Sequence, residues 1–379
     1  MRTARATRRP WLPTAAVVVL ALATACGGAA ASPSPATSPS GQTPATPATA
    51  STAPAEVARP EPASPVTGRV GGLGGLVDRA FFIGEEKGYF AEQGIQLDVT
   101  TFRAMTDMLP LLATDKLDVI TGGNNPAFFN AHASGAGGLI VADVTIFRPP
   151  GPGVKNGSMV IVRNDLLDQV KRISDLKGRP FAINSAGSIA EEFFEKVLAS
   201  DGLTPADVTV QVIPYPDQVA ALSNRAIDAA MQIEPFITQA HDQNVASPLF
   251  DLGTILAGYP NQVLVYSLDF IREKPDLARR FMVAHLKALR YIEDAFVKGI
   301  HRDDVVGLYI KHTPIKDPQL YDRMAPLYGE TNARINLQAI AQDQQFFVRQ
   351  GQQRQEIPPQ SMVNTSFGEY AVQVLGPYQ

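Results

Sequence analysis

The chain has 379 residues, of which 45% are hydrophobic and 18% charged, and its formal net charge is −4 at pH 7. No basic run follows the first residues, which argues against a nucleic-acid partner. There is a single cysteine, so a disulfide within one molecule and a thiol active site elsewhere in the chain are both excluded.

The N-terminal pattern predicts a signal peptide over residues 1–25. Four arginines among the first nine residues precede an apolar run, residues 15–23, that is too short to cross a membrane. Small residues then stand directly before Cys26, and the segment resembles a bacterial lipobox, although Ala23 occupies the usual leucine position. The resemblance implies a lipid-anchored protein of the cell envelope, at the outer face of the cytoplasmic membrane. Ordinary secretion with a chance cysteine is the alternative.

A low-complexity segment follows the cysteine. Residues 29–65 are almost entirely Ala, Ser, Thr and Pro, without an aromatic side chain, and such a composition cannot bury a core. We therefore predict that residues 26–67 form the lipidated cysteine and a disordered, extended linker. The remainder, residues 68–379, is long enough for two domains.

The folded part alternates short aliphatic runs with helical patterns over its first two thirds. This alternation indicates an α/β fold with mainly parallel sheets. The predicted strands are Gln96–Thr100, Asp118–Thr121, Gly138–Val144, Met159–Val162, Pro180–Asn184, Val208–Ile213, Ala229–Ile233 and Gln262–Ser267. After Asp269 the apolar spacing becomes helical, and these later helices must pack on a sheet formed earlier.

Two segments share one pattern, which suggests two similar lobes. Leu112–Val119 and Leu222–Ala229 both read as a helix that stops, turns before an aspartate and continues into a strand. Any helix-to-strand junction has this form, so the pattern carries weight only with the rest of the chain.

Four segments in order resemble the SsuA-like family of periplasmic binding proteins, which serves sulfonates, nitrate and thiamine-precursor pyrimidines. In Lys87–Ile95 a helix ends near Gly88, and Gly94 permits a positive φ before the next strand. The other three segments are Asp175–Pro180, Asn184–Ser188 and Ile227–Phe236.

The resemblance implies a two-lobe type II periplasmic-binding-protein fold with two crossover strands. We expect the crossovers at Met159–Val162 and Val263–Tyr266. Lobe 1 would then contain residues 68–160 plus 265–379, and lobe 2 residues 161–264.

Ligands of open α/β sheets bind beyond the carboxyl ends of the strands, and this directs the search for a site. The first candidate is the turn Ser185, Ala186, Gly187 and Ser188, where the unpaired N–H groups of a helix N-terminus suit an anion. The same residues also predict a helix cap by Ser188, with Glu191 completing a capping box.

Further candidates follow other strands. Gly123 lets the backbone approach a ligand, Asn124 can donate and accept, and Arg103 could bind an anion, although a surface arginine is the commoner case. Glu234 could bind an amine or hydroxyl, or only cap the next helix, and Phe236 could form a wall.

Signals of catalysis and of metal or cofactor binding are missing from the sequence. There is no G-x-S-x-G, H-E-x-x-H or phosphate-binding G-x-x-x-x-G-K motif, and the five histidines have no metal-like spacing. The pyrimidine-forming synthases on the same fold carry a cysteine cluster, whereas this chain has only Cys26. We therefore expect no enzymatic activity and no cofactor.

The family resemblance implies a monomeric solute-binding protein that captures a small organic molecule and delivers it to an ABC permease and its ATPase. A sulfonate or carboxylate is the expected solute. A neutral or amine-bearing ring compound, read by Glu234 and Asn124, is the alternative. An exported enzyme on the same fold and a ligand-sensing module for a receptor are the competing functions.

Overall fold

The computed structural model describes residues 65–379. The predicted signal peptide, Cys26 and nearly all of the predicted linker lie outside the described residues. The linker was predicted to extend to residue 67, but the first strand already begins at Val66.

Residues 65–379 form ten strands. In chain order they are β1 (Val66–Gly72), β2 (Ile95–Thr101), β3 (Val119–Gly122), β4 (Leu139–Ile146), β5 (Ser158–Arg163), β6 (Pro180–Ile183), β7 (Thr209–Val212), β8 (Ala229–Ile233), β9 (Ala246–Asp251) and β10 (Pro260–Tyr266). The eight predicted strands are all present, with ends that differ by at most two residues. Strands β1 and β9 were not predicted.

The same part of the chain forms fourteen α-helices. They are α1 (Arg79–Glu86), α2 (Tyr89–Glu92), α3 (Met105–Ala113), α4 (Pro126–Ala133), α5 (Ile189–Ala199), α6 (Tyr215–Ser223), α7 (Phe236–Asp242), α8 (Gly253–Leu256), α9 (Leu268–Glu273), α10 (Pro275–Val297), α11 (Arg302–His312), α12 (Pro318–Arg323), α13 (Leu337–Arg349) and α14 (Ser366–Leu375). None of these helices is long and apolar enough to cross a bilayer.

The strands form two five-stranded sheets with the same plan. The first has the order β2-β1-β3-β10-β4 and the second β7-β6-β8-β5-β9. In each sheet one central strand, β10 or β5, runs antiparallel to both neighbours, and the other four strands are mutually parallel. This confirms the predicted α/β class and its mainly parallel sheets. We call the first sheet with its helices lobe 1 and the second lobe 2.

The antiparallel strand of each sheet is the first strand after the chain changes lobe. Strands β5 and β10 were predicted to be the crossovers, but each pairs along its length with two neighbours of one sheet. The chain passes between the lobes just before them, through residues 147–157 and 252–259. The predicted lobe boundaries, 160/161 and 264/265, therefore fall inside strands.

The long helix α10 fills the core of lobe 1, as its apolar spacing predicts. Phe281, Ala284, Ala288 and Ile292 are all buried and pack in one cluster with α1 and the first sheet. Periodic burial of one helix face provides most of the stability of such a helix.

Helix α13 connects the two lobes. Its Ala339 packs in the core of lobe 2, whereas Ile340, Phe346 and Phe347 pack in a second lobe 1 cluster with α3 and α4. The return of the C-terminal helices to lobe 1 was expected, and the simultaneous packing of α13 on lobe 2 was not.

Two glycines shape the turn between α1 and β2 as predicted. Gly88 has φ 72° between α1 and α2, and Gly94 has φ 66° before β2. Glycine adopts this left-handed region without the steric cost that a Cβ would bring.

Candidate functional site

A cavity of about 380 Å³ lies where the two sheets meet. It is lined by residues that follow β1, β3 and β8, and by the first residues of the antiparallel strands β5 and β10. Residues 309–327 of lobe 1 close the remaining side. The cavity therefore lies at the carboxyl ends of parallel strands from both sheets, where open α/β folds bind ligands.

The floor of this cavity is polar and belongs to lobe 1. Arg79, the first residue of α1, donates from Nη1 to Thr145 Oγ1 at 3.1 Å and to the carbonyl oxygen of Leu76 at 3.3 Å. Thr145 in turn donates to Gln262 Oε1 at 3.2 Å. The connected side chains come from α1, β4 and β10, and we call Arg79, Thr145 and Gln262 the floor cluster.

The floor cluster has more donors than acceptors. Arg79 is 1% exposed, yet its Nε and Nη2 have no hydrogen-bond partner among residues 65–379, and neither has Nε2 of Gln262. These three atoms are the buried side-chain atoms of cavity-lining residues that lack a partner, and all three are donors. Buried polar groups normally find partners, so this surplus calls for acceptors.

The charges around Arg79 do not pair with it. No carboxylate within residues 65–379 lies within 4.0 Å of its guanidinium. Glu293 forms an ion pair with Arg148 and accepts from a backbone N–H, and burial raises its pKa. Asp78 also has its pKa raised by burial. Burial and the nearby guanidinium lower the pKa of His285 to about 3, so this ring stays neutral.

Most of the cavity lining is apolar. Phe236 from lobe 2 and Phe296, Met324 and Leu327 from lobe 1 are among its lining residues. Gly157 lies between the lobes, where an added Cβ would come within 3.3 Å of the Leu327 side chain. The wall of this one cavity therefore combines side chains of both lobes.

Three of the predicted site residues line this cavity, namely Gly123, Glu234 and Phe236. Glu234 accepts hydrogen bonds from the N–H and hydroxyl of Thr238, at 3.1 and 3.0 Å, and from the N–H of Ala325 at 3.1 Å. Both of its oxygens are thus occupied, and burial raises its pKa. The contacts with Thr238 agree with the alternative prediction, in which Glu234 caps the following helix.

The predicted anion-binding turn, Ser185 to Ser188, is not part of the cavity wall. Gly187 faces the side chain of Gln352, which an added Cβ would approach to 2.4 Å. The predicted capping box is wrong, because Ser188 is the N-cap residue of α5 but makes no side-chain cap bond. Its Oγ accepts from Ser185 Oγ at 2.9 Å instead, and Glu191 accepts from the N–H of Gly187.

The remaining two candidates also lie away from the cavity wall. Arg103 is exposed after β2 and is not a lining residue. Asn124 is buried and donates to Asp343 Oδ2 at 2.7 Å. The side chain of Asn124 therefore faces α13.

Asn124 belongs to a second polar cluster between the lobes. The Tyr259 hydroxyl lies at hydrogen-bond distance from Asp343 Oδ1 and, at 3.1 Å, from Glu192 Oε1. Lys196 also contacts Glu192, at 3.1 Å. Burial and the neighbouring Glu192 raise the pKa of Asp343 well above its usual range. We call Asn124, Glu192, Tyr259 and Asp343 the acid cluster.

Sequence reasoning missed the floor cluster. Arg79 stands inside a helical pattern beside Asp78, and Gln262 inside a strand, so neither has a local motif. The available signal was the Gly-rich stretch 71–75 between a strand and a helix, since such loops often lie at ligand sites.

Residues 65–379 contain no group of three or more His, Cys, Asp or Glu residues placed to hold a metal ion. The arrangement of the floor cluster and the apolar wall suits a small organic ligand with acceptor atoms at one end.

Comparisons with known proteins agree with this geometry. Residues 72–305 match the sequence model of the NMT1-like family. A Bacillus subtilis (strain 168) protein assigned as aliphatic sulfonates-binding is 27% identical over 239 residues, which are 62% of this chain and 66% of that protein. The chain thus spans just under two thirds of that relative's length.

Two solved structures of binding proteins share the fold. The periplasmic aliphatic sulphonate binding protein SsuA from Escherichia coli has a TM-score of 0.61 at 19% identity, covering 81% of this chain and 100% of that one. The periplasmic nitrate-binding protein NrtA from Synechocystis PCC 6803 has a TM-score of 0.62 at 15% identity, covering 82% and 89%. These matches confirm the predicted two-lobe fold and the predicted resemblance to SsuA-like proteins.

The fold is also shared by an enzyme. The desulfurization enzyme DSZB has a TM-score of 0.58 at 17% identity, covering 81% of this chain and 99% of that one. At such identities structural likeness shows the fold alone, and function must be argued from the site.

Proposed function

Because the chain belongs to the NMT1-like family, we propose that it is a solute-binding protein that holds a small organic anion between its lobes for delivery to an ABC importer. The observation that carries the proposal is the cavity of about 380 Å³ whose wall combines both lobes and whose floor has unpartnered donors. Its volume lies in the range of small-molecule sites, roughly 300–1,000 Å³.

The connection between the lobes supports capture by closure. Two short passages, residues 147–157 and 252–259, join the sheets, and few residues would absorb a hinge rotation. Phe236 and Glu234 come from lobe 2, whereas Arg79 and Thr145 come from lobe 1. A rotation that separated the lobes would therefore open the cavity and release its content.

The chemistry of the wall supports binding rather than turnover. Among the described residues that line the cavity there is no cysteine, histidine or lysine. The hydroxyl of Thr145 donates to Gln262, and its partner on the other side is a guanidinium, which cannot act as a base at neutral pH. Because a desulfurization enzyme shares the fold, a search for products of bound solutes tests this.

The alternative ligand, an amine or a neutral ring compound, has weaker support. It was predicted from Glu234 and Asn124. Both oxygens of Glu234 already accept protein hydrogen bonds, and Asn124 lies in the acid cluster away from the cavity. The buried side-chain atoms of the wall that lack a partner are donors, which match an acceptor-bearing anion.

Anchoring to the membrane through Cys26 is part of the proposal. The sequence signal is the lone cysteine after small residues at the end of an export signal. Cells expressing the wild type and Cys26→Ala should differ, with the wild type in the membrane fraction and the variant in the soluble fraction. Equal partitioning of the two would show that this residue is not lipidated.

Native mass spectrometry of the protein purified from its own cells tests the function. We expect a co-purified small molecule, and small-angle scattering should show a larger radius of gyration once that molecule is removed. Chemical conversion of the solute during incubation would instead establish an enzyme. An empty protein whose scattering no small molecule changes would contradict the proposal.

A further inference from the structure

We infer that the solute is an organic acid with an apolar, ring-sized body, and that its acidic group binds at the floor cluster of Arg79, Thr145 and Gln262. The inference rests on the proposed function and deepens it, because it specifies the end of the cavity that reads the solute and the chemical class that fits. The Ser185 to Ser188 turn has no part in it.

The floor cluster lacks hydrogen-bond acceptors. Nε and Nη2 of Arg79 and Nε2 of Gln262 are buried donors without partners, and both residues line the cavity. Leaving such groups unpaired is costly, whereas hydrogen bonds from a charged donor are among the stronger ones in proteins. A solute that reaches the floor and brings several acceptor oxygens would satisfy them.

Arg79 is a buried charge without an ion pair among the described residues. An arginine stays protonated in proteins, and the Arg79 side chain is 1% exposed without a carboxylate in ion-pair range among the described residues. Two carboxylates influence the pKa of Arg79, and both have other partners: Glu293 is paired with Arg148, and Asp78 accepts from the N–H of Gly74. A bound anion stabilises a buried cation that has no ion-pair partner far more than a neutral group does.

The volume and the lining of the cavity indicate the size and polarity of the solute. At the packing density of protein interiors a cavity of about 380 Å³ holds roughly 280 Å³ of ligand. A small inorganic oxyanion would leave most of this space empty. The lining outside the floor cluster is mostly apolar and includes Phe236, Phe296 and Leu327, so a second charge on the solute would lose solvation without gaining an ion-pair partner there.

Calorimetric titration with four probes tests the class. We expect naphthalene-2-sulfonate to bind and the neutral isostere naphthalene-2-sulfonamide to bind about 100-fold more weakly. Nitrate and 2-naphthylmethylamine should show no measurable binding. Equal affinities for the sulfonate and the sulfonamide would overturn the claim that the solute is an acid. Tight binding of nitrate would overturn the claim that it has an apolar body.

The variant Arg79→Met tests the floor. It should weaken binding of naphthalene-2-sulfonate about 100-fold or more, while the melting temperature of the ligand-free protein stays equal or rises, because an unpaired buried charge is removed. A merely structural arginine would lower that temperature. Gln262→Leu should weaken binding about 10-fold, and the control Arg272→Met, which removes an exposed arginine of α9, should change nothing.

Native mass spectrometry separates this inference from the proposed function. If the wild type retains a small molecule that Arg79→Met loses, and the molecule is an acid, both stand. If the variant retains it at the wild-type level, or the molecule is a base, the floor assignment falls while solute binding stands. If no probe binds and no molecule is retained, the proposed function itself fails.

Discussion

The floor cluster and the acid cluster both lie between the lobes, and they differ in how their hydrogen bonds are met. In the acid cluster the Asp343 carboxyl, the Tyr259 hydroxyl and the Asn124 amide bond to one another, and the buried atoms left without partners are two acceptors, Asn124 Oδ1 and Glu192 Oε2. In the floor cluster Arg79 and Gln262 keep three buried donors without partners. Unpartnered donors suit the acceptor atoms of an anion, whereas unpartnered acceptors do not.

The two clusters also divide the lobes differently. Glu192 comes from lobe 2, Asn124 from lobe 1, and Asp343 from α13, which packs on both. The acid cluster therefore joins the lobes at the α13 side in the absence of solute. The floor cluster belongs to lobe 1 alone, and a solute in the cavity would connect it with Phe236 of lobe 2.

Removal of Asp343 should give the largest loss of stability. Asp343→Ala leaves the Tyr259 hydroxyl and the Asn124 amide without their shared partner, and we expect a loss of up to about 5 kcal/mol in the free energy of unfolding. Asp343→Asn keeps the shape of the side chain and can still form hydrogen bonds with both neighbours, so it should cost far less. Urea denaturation of both variants measures this, and equal losses would show that hydrogen bonding by this side chain does not stabilise the cluster.

The pH dependence of stability should depend on Asp143, which accepts from the N–H of Asn336 at 2.8 Å at the start of α13. Burial first, and Glu330 second, raise the pKa of Asp143 to about 7, against about 3.9 in the unfolded chain. A raised carboxyl pKa stabilises the fold while the group is protonated. The free energy of unfolding should therefore fall as pH rises from about 4 to 7, by up to about 4 kcal/mol, and then level off.

The variant Asp143→Asn checks this assignment. Its free energy of unfolding should change less across the same pH range and should exceed that of the wild type at pH 8, because the variant has no carboxyl proton to lose at this position. Melting curves at several pH values measure the difference. A variant whose profile runs parallel to that of the wild type would assign the pH dependence to other groups.

The smallest effect is expected at the turn that the sequence favoured. Ser188→Ala removes a hydroxyl that bonds only within the turn, so solute affinity should change by less than about twofold and stability by at most about 1 kcal/mol. Titration of the variant with naphthalene-2-sulfonate checks this. A tenfold loss of affinity would place the turn in the binding site and contradict the assignment of the floor cluster as the part that binds the acidic group.

The sequence predicted what depends on local periodicity. The alternation of strands and helices, the buried face of α10 at Phe281 to Ile292 and the left-handed glycines Gly88 and Gly94 are all found. Strand β1 was missed because its Gly-rich sequence lacks a β-branched run, and β9 because Pro248 interrupts it.

Residues that act through long-range packing could not be predicted from local patterns. Thr145 is 66 positions from Arg79 and 117 from Gln262, and only the sheet order brings them together. The turn at Ser185 to Ser188 could be predicted because a helix N-terminus has a local sequence signature. That signature does not show which residues pack around the turn. The Gln352 side chain lies beside Gly187 in this turn.

A crystal structure with 6-bromonaphthalene-2-sulfonate tests the central claim most directly. The anomalous signal of bromine locates the body, and the electron density locates the acidic group. We expect sulfonate oxygens within hydrogen-bond distance of Arg79 and Gln262, and bromine near Phe236 and Leu327. A sulfonate bound at the Ser185 to Ser188 turn, or one facing solvent with the ring on the floor, would contradict the account.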